Sequence, residues 1–188
     1  MPAITVRLDG VMERYAKQLQ AMGTQAPVIM TTALMSAAPQ MERALEDALT
    51  PQTGLLPGTI ARAVTYKGGA LSLTFRTQGG DVRLKFFKPH ETEPGVSAAP
   101  RNARSTFPGT FMRAGWWAKR RVDKPGWNGQ VFRRAGGKTK TGKARFTTAR
   151  SDMAIPDEMV KGASLGAWER GQAAVLTTVE HRIMALLP

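Results

Sequence analysis

The chain has 188 residues, 42% hydrophobic and 22% charged, which suits one soluble globular domain long enough to bury its own core. It has no cysteine, which excludes disulfides, thiolate metal sites and cysteine nucleophiles. The formal net charge is +13, the opening MPAITVRLDG lacks the basic start and apolar run of a signal peptide, and no apolar segment approaches the roughly 20 residues of a membrane span. A soluble protein made in the cytoplasm, with no membrane partner, is expected.

Ile4, Val6 and Leu8 alternate with polar residues, the period of a short strand with one buried face. Asp9-Gly10 ends it, with Asp9 placed to cap a helix over Val11–Met22 in which Met12, Tyr15, Leu19 and Met22 share a face. A second helix is predicted from about Pro27 to Leu49, with Leu34, Ala37, Ala38, Met41, Leu45 and Ala48 as its apolar stripe and Pro39 kinking or splitting it. Glu42, Glu46 and Asp47 read as its solvated face. The segment 50–60, with two prolines and two glycines, reads as a shaped loop with room for one helical turn. Three strands are expected over Ala61–Tyr66, Ala70–Arg76 and Asp81–Phe87, joined by turns at Lys67-Gly68-Gly69 and Gln78-Gly79-Gly80 into an antiparallel meander. Lys88–Ser105 reads as a connection, Phe107–Trp117 and Gln130–Arg134 as two more strands, and Gly136–Arg150 as a flexible cationic loop. Beyond Ile155-Pro156, the residues Met159, Ala163, Trp168, Leu176, Val179, Ile183 and Leu186 mark a long amphipathic helix. Pro156, Asp157 and Glu158 suit its first turn, and Gly162, Gly166 and Gly171 favour an early interruption.

The charge is concentrated in 101–150. Arg101, Arg104, Arg113, Lys119, Arg120, Arg121, Lys124, Arg133, Arg134, Lys138, Lys140, Lys143, Arg145 and Arg150 stand there against a single acid, Asp123. The 27 bases and 14 acids of the whole chain therefore leave thirteen of each outside the stretch, and the remainder is neutral. Trp116, Trp117, Trp127, Phe107, Phe111 and Phe132 fall in the same stretch. An aromatic-bearing basic insert in an otherwise neutral protein is suited to a polyanion or to an acidic protein surface.

No catalytic signature accompanies it. The HExxH, GxSxG and P-loop patterns are missing, and Gly136-Gly137-Lys138-Thr139 lacks the earlier glycine and leading strand of a phosphate loop. His90, Glu91 and Glu93 share a segment but read as a solvated loop rather than a metal site. With Asp123 the sole acid in the basic stretch, a metal-dependent nuclease lacks its carboxylates. A protein that is not an enzyme, without metal or cofactor, is expected.

Three segments carry a family resemblance. Pro51-Gln52-Thr53-Gly54-Leu55-Leu56 with Ile60 resembles the "P-x-TG-x-L…I" segment of tail-completion and head–tail joining proteins of long-tailed bacteriophages. Phe107-Pro108-Gly109-Thr110-Phe111-Met112 and Gln130-Val131-Phe132-Arg133-Arg134 resemble the "F-x-G-x-F…V-x-x-R" strand pair of those proteins and of the minor tail protein Z group. Met153-Ala154-Ile155-Pro156, opening a C-terminal helix, is similar to the close of minor tail protein Z relatives. The basic segments 119–126 and 136–150 are longer than such a strand connection needs. The resemblance implies an α+β subunit, a twisted antiparallel sheet packed by long N-terminal and C-terminal helices. It implies a homo-oligomeric ring, hexameric in many such proteins, in the virion tail or neck, assembled in the host cytoplasm. Neighbouring tail-tube, tail-terminator and neck proteins are the implied partners, with DNA passing through the lumen, and the implied function is to complete the tail and join it to the head. The fourteen basic residues then face phosphate or an acidic neighbouring rim, with no base specificity. The alternative is a sequence-nonspecific nucleic-acid-binding protein that grips the backbone through the same stretch while Trp116, Trp117 or Trp127 stack on bases.

Overall fold

A computed structural model describes residues 3–69, 71–117 and 120–185, with the side chain of Trp116 excepted. Ala70 at the start of a predicted strand, Lys119 among the predicted basic contacts and Leu186 at the end of the predicted C-terminal stripe lie outside the described residues. The fold is α+β with antiparallel strand pairing. The chain divides into two compact units, one built from the segment ending at Gln52, Pro57–Gln78 and the segment from Ile155, the other from Thr53–Leu56 and Gly79–Ala154.

The first unit begins with β1 (Ala3–Arg7), which buries Val6 as its alternation predicts. Two short helices follow, α1 (Asp9–Arg14) and α2 (Ala16–Ala21), separated at Tyr15, where one helix was expected. Asp9 is not the cap. Leu8 holds that position without a side-chain bond, and Asp9 sits in the first turn, ion-paired with Arg7 at 2.9 Å. The long helix α3 (Gln25–Thr53) buries Met30, Leu34, Ala38, Met41, Leu45 and Leu49, the i, i+3/i+4 spacing of a core face. Of the expected kink or split at Pro39, the split does not occur: the helix is continuous through it, and Pro39 and Met35, whose carbonyl loses its helical donor, both lie on the exposed side, open to solvent. On the same helix, partial burial raises the Glu46 carboxyl above its ordinary range, and Glu42 and Asp47 add to the shift.

After the turn of helix α4 (Pro57–Ile60), β2 (Val64–Gly69) and β3 (Ser72–Thr77) form a hairpin, and β3 also pairs with β1 to give the order β1-β3-β2. The predicted turn at Lys67-Gly68-Gly69 lies instead in the ladder, where Gly68 faces Leu73 and Gly69 faces Ser72. Gly68 is accepted in a strand because a Cβ there would run into the sulfur of Met35 on α3. The C-terminal helix is interrupted early, as its glycines suggest, into α5 (Ile155–Met159) and α6 (Gly162–Met184). Lys161 at the cap of α6 offers no acceptor, so Gln52 supplies one: its Oε1 accepts from Ser164 N at 3.0 Å and its Nε2 donates to Glu158 O at 2.8 Å. Glu158, only 2% exposed, completes the joint with Lys161 Nζ at 3.1 Å. Phe75 and Trp168 meet edge to face at 5.9 Å, bringing β3 against α6 in the core of this unit.

The second unit is almost all strand. β4 (Asp81–Arg83) is shorter than predicted: a 3-10 turn over Leu84–Phe86 changes the period from two to three, so Leu84 and Phe87 are buried and Phe86 is exposed. β4 pairs not with β3 but with β13 (Arg150–Ala154), which corrects the expected three-strand meander. The expected connection 88–105 holds β5 (His90–Thr92) and β6 (Gly95–Ala98), which continue with β7 (Ser105–Pro108) into a three-stranded sheet. The strand predicted at 107–117 is three pieces, β7, β8 (Thr110–Phe111) and β9 (Ala114–Trp116), the last paired with β10 (Arg120–Val122). β11 (Phe132–Lys138) pairs with β8, setting Phe132 opposite Phe111, and with β12 (Ala144–Thr148). The segment 136–150 is thus the end of a hairpin and the start of β13, not a structureless loop. Leu55, Leu84, Phe87, Val96, Val131 and Met153 are the buried centre of this unit.

Gly54 has the positive φ (75°) that its TG turn requires, and a Cβ there would stand 2.9 Å from Asn102 N and 3.0 Å from Ala99 O. Gly54→Val is expected to cost about 2 kcal/mol or more and to lower the thermal midpoint by several degrees in a circular-dichroism melt. An unchanged midpoint rejects this account of the turn.

Candidate functional site

Charge alone does not separate the fourteen predicted basic contacts, but the structure sorts the thirteen described ones by what each touches. Arg104 donates to His90 Nδ1 at 2.9 Å and, more weakly, to Ser97. Arg113 pairs with Asp123 at 2.9 Å, and Arg150 donates to Asp81 O at 3.0 Å, closing the β4–β13 pair. Arg101 lies exposed in the 3-10 turn over Pro100–Asn102, with φ at 54°. Arg120 on β10 and Lys124 beyond it are exposed.

Arg121 is the structural exception. Its side chain is 18% exposed and that of Glu91 only 7%; the two form an ion pair, and Arg121 Nη1 donates to Gly115 O at 2.8 Å. Glu91 Oε1 also accepts from Met112 N at 3.1 Å, so one carboxylate pins β5 to the segment entering β9 and to β10. Glu91 is therefore a buried partner rather than part of a solvated loop. The Arg121 guanidinium lies 5.8 Å from the centre of the Trp117 ring. His90 and Glu91 are each engaged by an arginine, and among the described residues no three His, Asp or Glu side chains group as metal ligands.

The remaining six cations share one element. Arg133, Arg134, Lys138, Lys140, Lys143 and Arg145 all lie exposed on the hairpin of β11 and β12 or on its tip, and among the described residues none forms an ion pair with an acid. From Lys124 to Ser151 the sequence holds no Asp or Glu at all. The tip is a closed turn: Thr139 N donates to Lys143 O at 2.7 Å, Gly142 N to Thr139 O at 2.9 Å and Lys143 N to Thr139 Oγ1 at 3.1 Å. Gly142, at φ 76°, takes the left-handed position this turn needs.

The root of the hairpin is an aromatic cluster. Phe111 on β8, Trp127 in the 3-10 turn after β10, Phe132 on β11 and Phe146 on β12 all meet one another, with ring centres 4.9–6.0 Å apart and tilted or edge-on geometry. Arg134 extends over the outer part of this cluster, 5.8 Å from the Phe111 ring centre. Trp127 and Phe132 are half-buried in it, with their edges and faces taken by neighbouring rings, so Trp127 is a packing residue rather than an open stacking platform. Trp117 is 40% exposed, and the side chain of Trp116 lies outside what is described. Sequence reasoning did not single out Phe146, and it placed Glu91 in a solvated loop rather than in a buried ion pair. Only the turn signal Thr139–Lys143, with Gly142 inside, marks a hairpin that brings Phe146 back to Phe132.

What this surface can do is electrostatic: present cations that form no ion pair among the described residues, on an aromatic root, to an extended anion. Removing one partner of the buried Glu91–Arg121 pair leaves an uncompensated charge, so Glu91→Ala is expected to cost about 3 kcal/mol. Arg113→Ala, at an exposed pair, is expected to cost less than about 1 kcal/mol. Urea unfolding of the two variants checks the contrast, and equal losses contradict it. Comparison with protein-family models, with curated proteins and with solved structures found no match to this chain.

Proposed function

We propose that the chain is a structural subunit of a phage or phage-like particle. Copies of it form an oligomeric ring at the head-proximal end of the tail or in the neck, completing the tail and joining it to the head. The β11–β12 hairpin makes contacts between rings or toward the lumen. The observation that carries this reading is the hairpin itself: six exposed cations with no acidic partner among the described residues, a surface suited to an anion supplied from outside.

Three further features support it. The segments that resemble tail-completion and minor tail proteins are structural in kind, and each falls at a joint: Pro51–Gly54 where α3 ends, Phe107–Met112 and Gln130–Arg134 across the β8–β11 pairing, and Met153–Pro156 where β13 passes into α5. The mixed α+β composition agrees with the subunit that the resemblance implies. A role in assembly also needs no catalytic group. It draws on surface charge, which steers partners and fixes their register more than it adds affinity.

The mass of the purified protein by light scattering, at low and at high salt, tests the ring directly. A closed oligomer is expected under assembly conditions, and tails made without the protein are expected not to join heads. Arg133→Glu with Arg134→Glu is expected to abolish head–tail joining while the melting curve stays unchanged. Normal joining by a folded double variant rejects the contact role of this hairpin.

A further inference from the structure

The shape of the cationic hairpin, beyond its charge, narrows the anion it fits. We infer that the β11–β12 ribbon is a duplex-DNA-binding arm that lies in the major groove and sets Lys138, Lys140 and Lys143 against the phosphates of the groove walls, without reading base sequence. This inference does not depend on where the subunit sits in a particle.

Three observations carry it. First, beyond the rung where Phe146 meets the aromatic root, the ribbon is exposed on both faces, at Ala135–Lys138 on one strand and at Ala144 and Arg145 on the other, which is unusual for strands of a folded unit, whose inward face is normally covered. Second, its width is that of two antiparallel strands. With strands about 4.8 Å apart and side chains to either side, such a ribbon is roughly 10 Å across, which enters a major groove about 12 Å wide and not a minor groove about 6 Å wide. β12 has five residues opposite β11, with a bulge between Arg134 and Lys138, so at about 3.3 Å per residue the paired length is on the order of 16 Å, close to half a helical turn of DNA. Third, its cations are spread along both strands and the tip, and Thr147, with one of the mutually bonded pair Thr139 and Thr141, adds hydroxyl donors suited to phosphate oxygens. The closed turn at Thr139–Lys143 and the aromatic root hold this shape before any partner arrives.

An acidic protein surface would satisfy the same charges but makes no use of a two-faced ribbon, and single-stranded nucleic acid would seek open ring faces, which the edge-on cluster does not offer. Duplex RNA, with a deep, narrow major groove, excludes the ribbon.

Because any basic protein is drawn to DNA at low salt, the test controls for total charge. Fluorescence anisotropy of a labelled mixed-sequence DNA duplex is measured between about 50 and 200 mM salt. The wild type is compared with K138Q/K140Q/K143Q and with K17Q/K67Q/R76Q, which removes the same formal charge from exposed positions of the other unit. The ribbon variant is expected to flatten the slope of log affinity against log salt by about 3 and to weaken binding on the order of 100-fold at about 0.1 M salt, with an unchanged melt. The control variant is expected to stay within about threefold of wild type. Equal losses in both variants overturn the inference, as does a wild type that fails to bind the duplex at low salt. It is also overturned if duplex RNA or a single strand binds as tightly as duplex DNA, or if polyglutamate displaces the duplex at equal charge concentration.

Discussion

Six like charges on a two-stranded ribbon repel one another, and the aromatic root is what lets that ribbon exist as a shaped element. Two unit charges about 10 Å apart in water cost about 0.4 kcal/mol, less in salt. A favourable aromatic pair contributes about 0.5–1.5 kcal/mol beyond the area it buries. Six charges make fifteen such pairs and four rings make six, so the two sums are comparable without salt, and the ring contacts at the base of the ribbon prevail once salt screens the charges. Without that cluster, the segment 132–148 would have almost nothing to bury, and an isolated two-strand hairpin is marginal in water. The free cations and the half-buried rings are two sides of one arrangement.

The same economy governs the other basic residues. Arg104, Arg113, Arg121 and Arg150 use their guanidinium groups on a histidine, on carboxylates and on backbone carbonyls within their own unit. Arginine suits such sites because its planar fork reaches several acceptors at once. Lys124, Lys138, Lys140 and Lys143 stand instead beyond β10 and on the hairpin, each exposed and, among the described residues, in no ion pair, where a hydrated point charge on a flexible stem stays accessible.

In the first unit the corresponding constraint is the joint at Gln52. A helix that starts at Gly162 behind a lysine has no cap of its own, and the amide of Gln52, at the end of α3, serves two helix termini by accepting from Ser164 and donating to the Glu158 carbonyl. Gly162, at φ 60°, leaves the space that Gln52 fills, since a Cβ there would lie 3.1 Å from its Oε1. The early break in the C-terminal helix is thus held by a contact more than a hundred residues away in sequence. The glycines make the break affordable; the amide makes it specific.

Local chemistry was readable from the chain alone. The buried stripe of α3, the alternation of β1 and β3, the left-handed Gly54 and the confinement of net charge to 101–150 all depend on residues within a few positions of one another, where periodicity, turn chemistry and charge are written directly. The partners were not. That β4 pairs with β13 across nearly seventy residues, that Leu84 and Phe87 rather than Phe86 turn inward, that Glu91 buries Arg121, and that Phe146 returns to Phe132 were decided by tertiary packing. An amphipathic pattern states that a face will be covered but not by what, and a run of cations states a charge but not which members find an acceptor. Only the folded chain separates four arginines that bond within the unit from the six cations that share the β11–β12 hairpin.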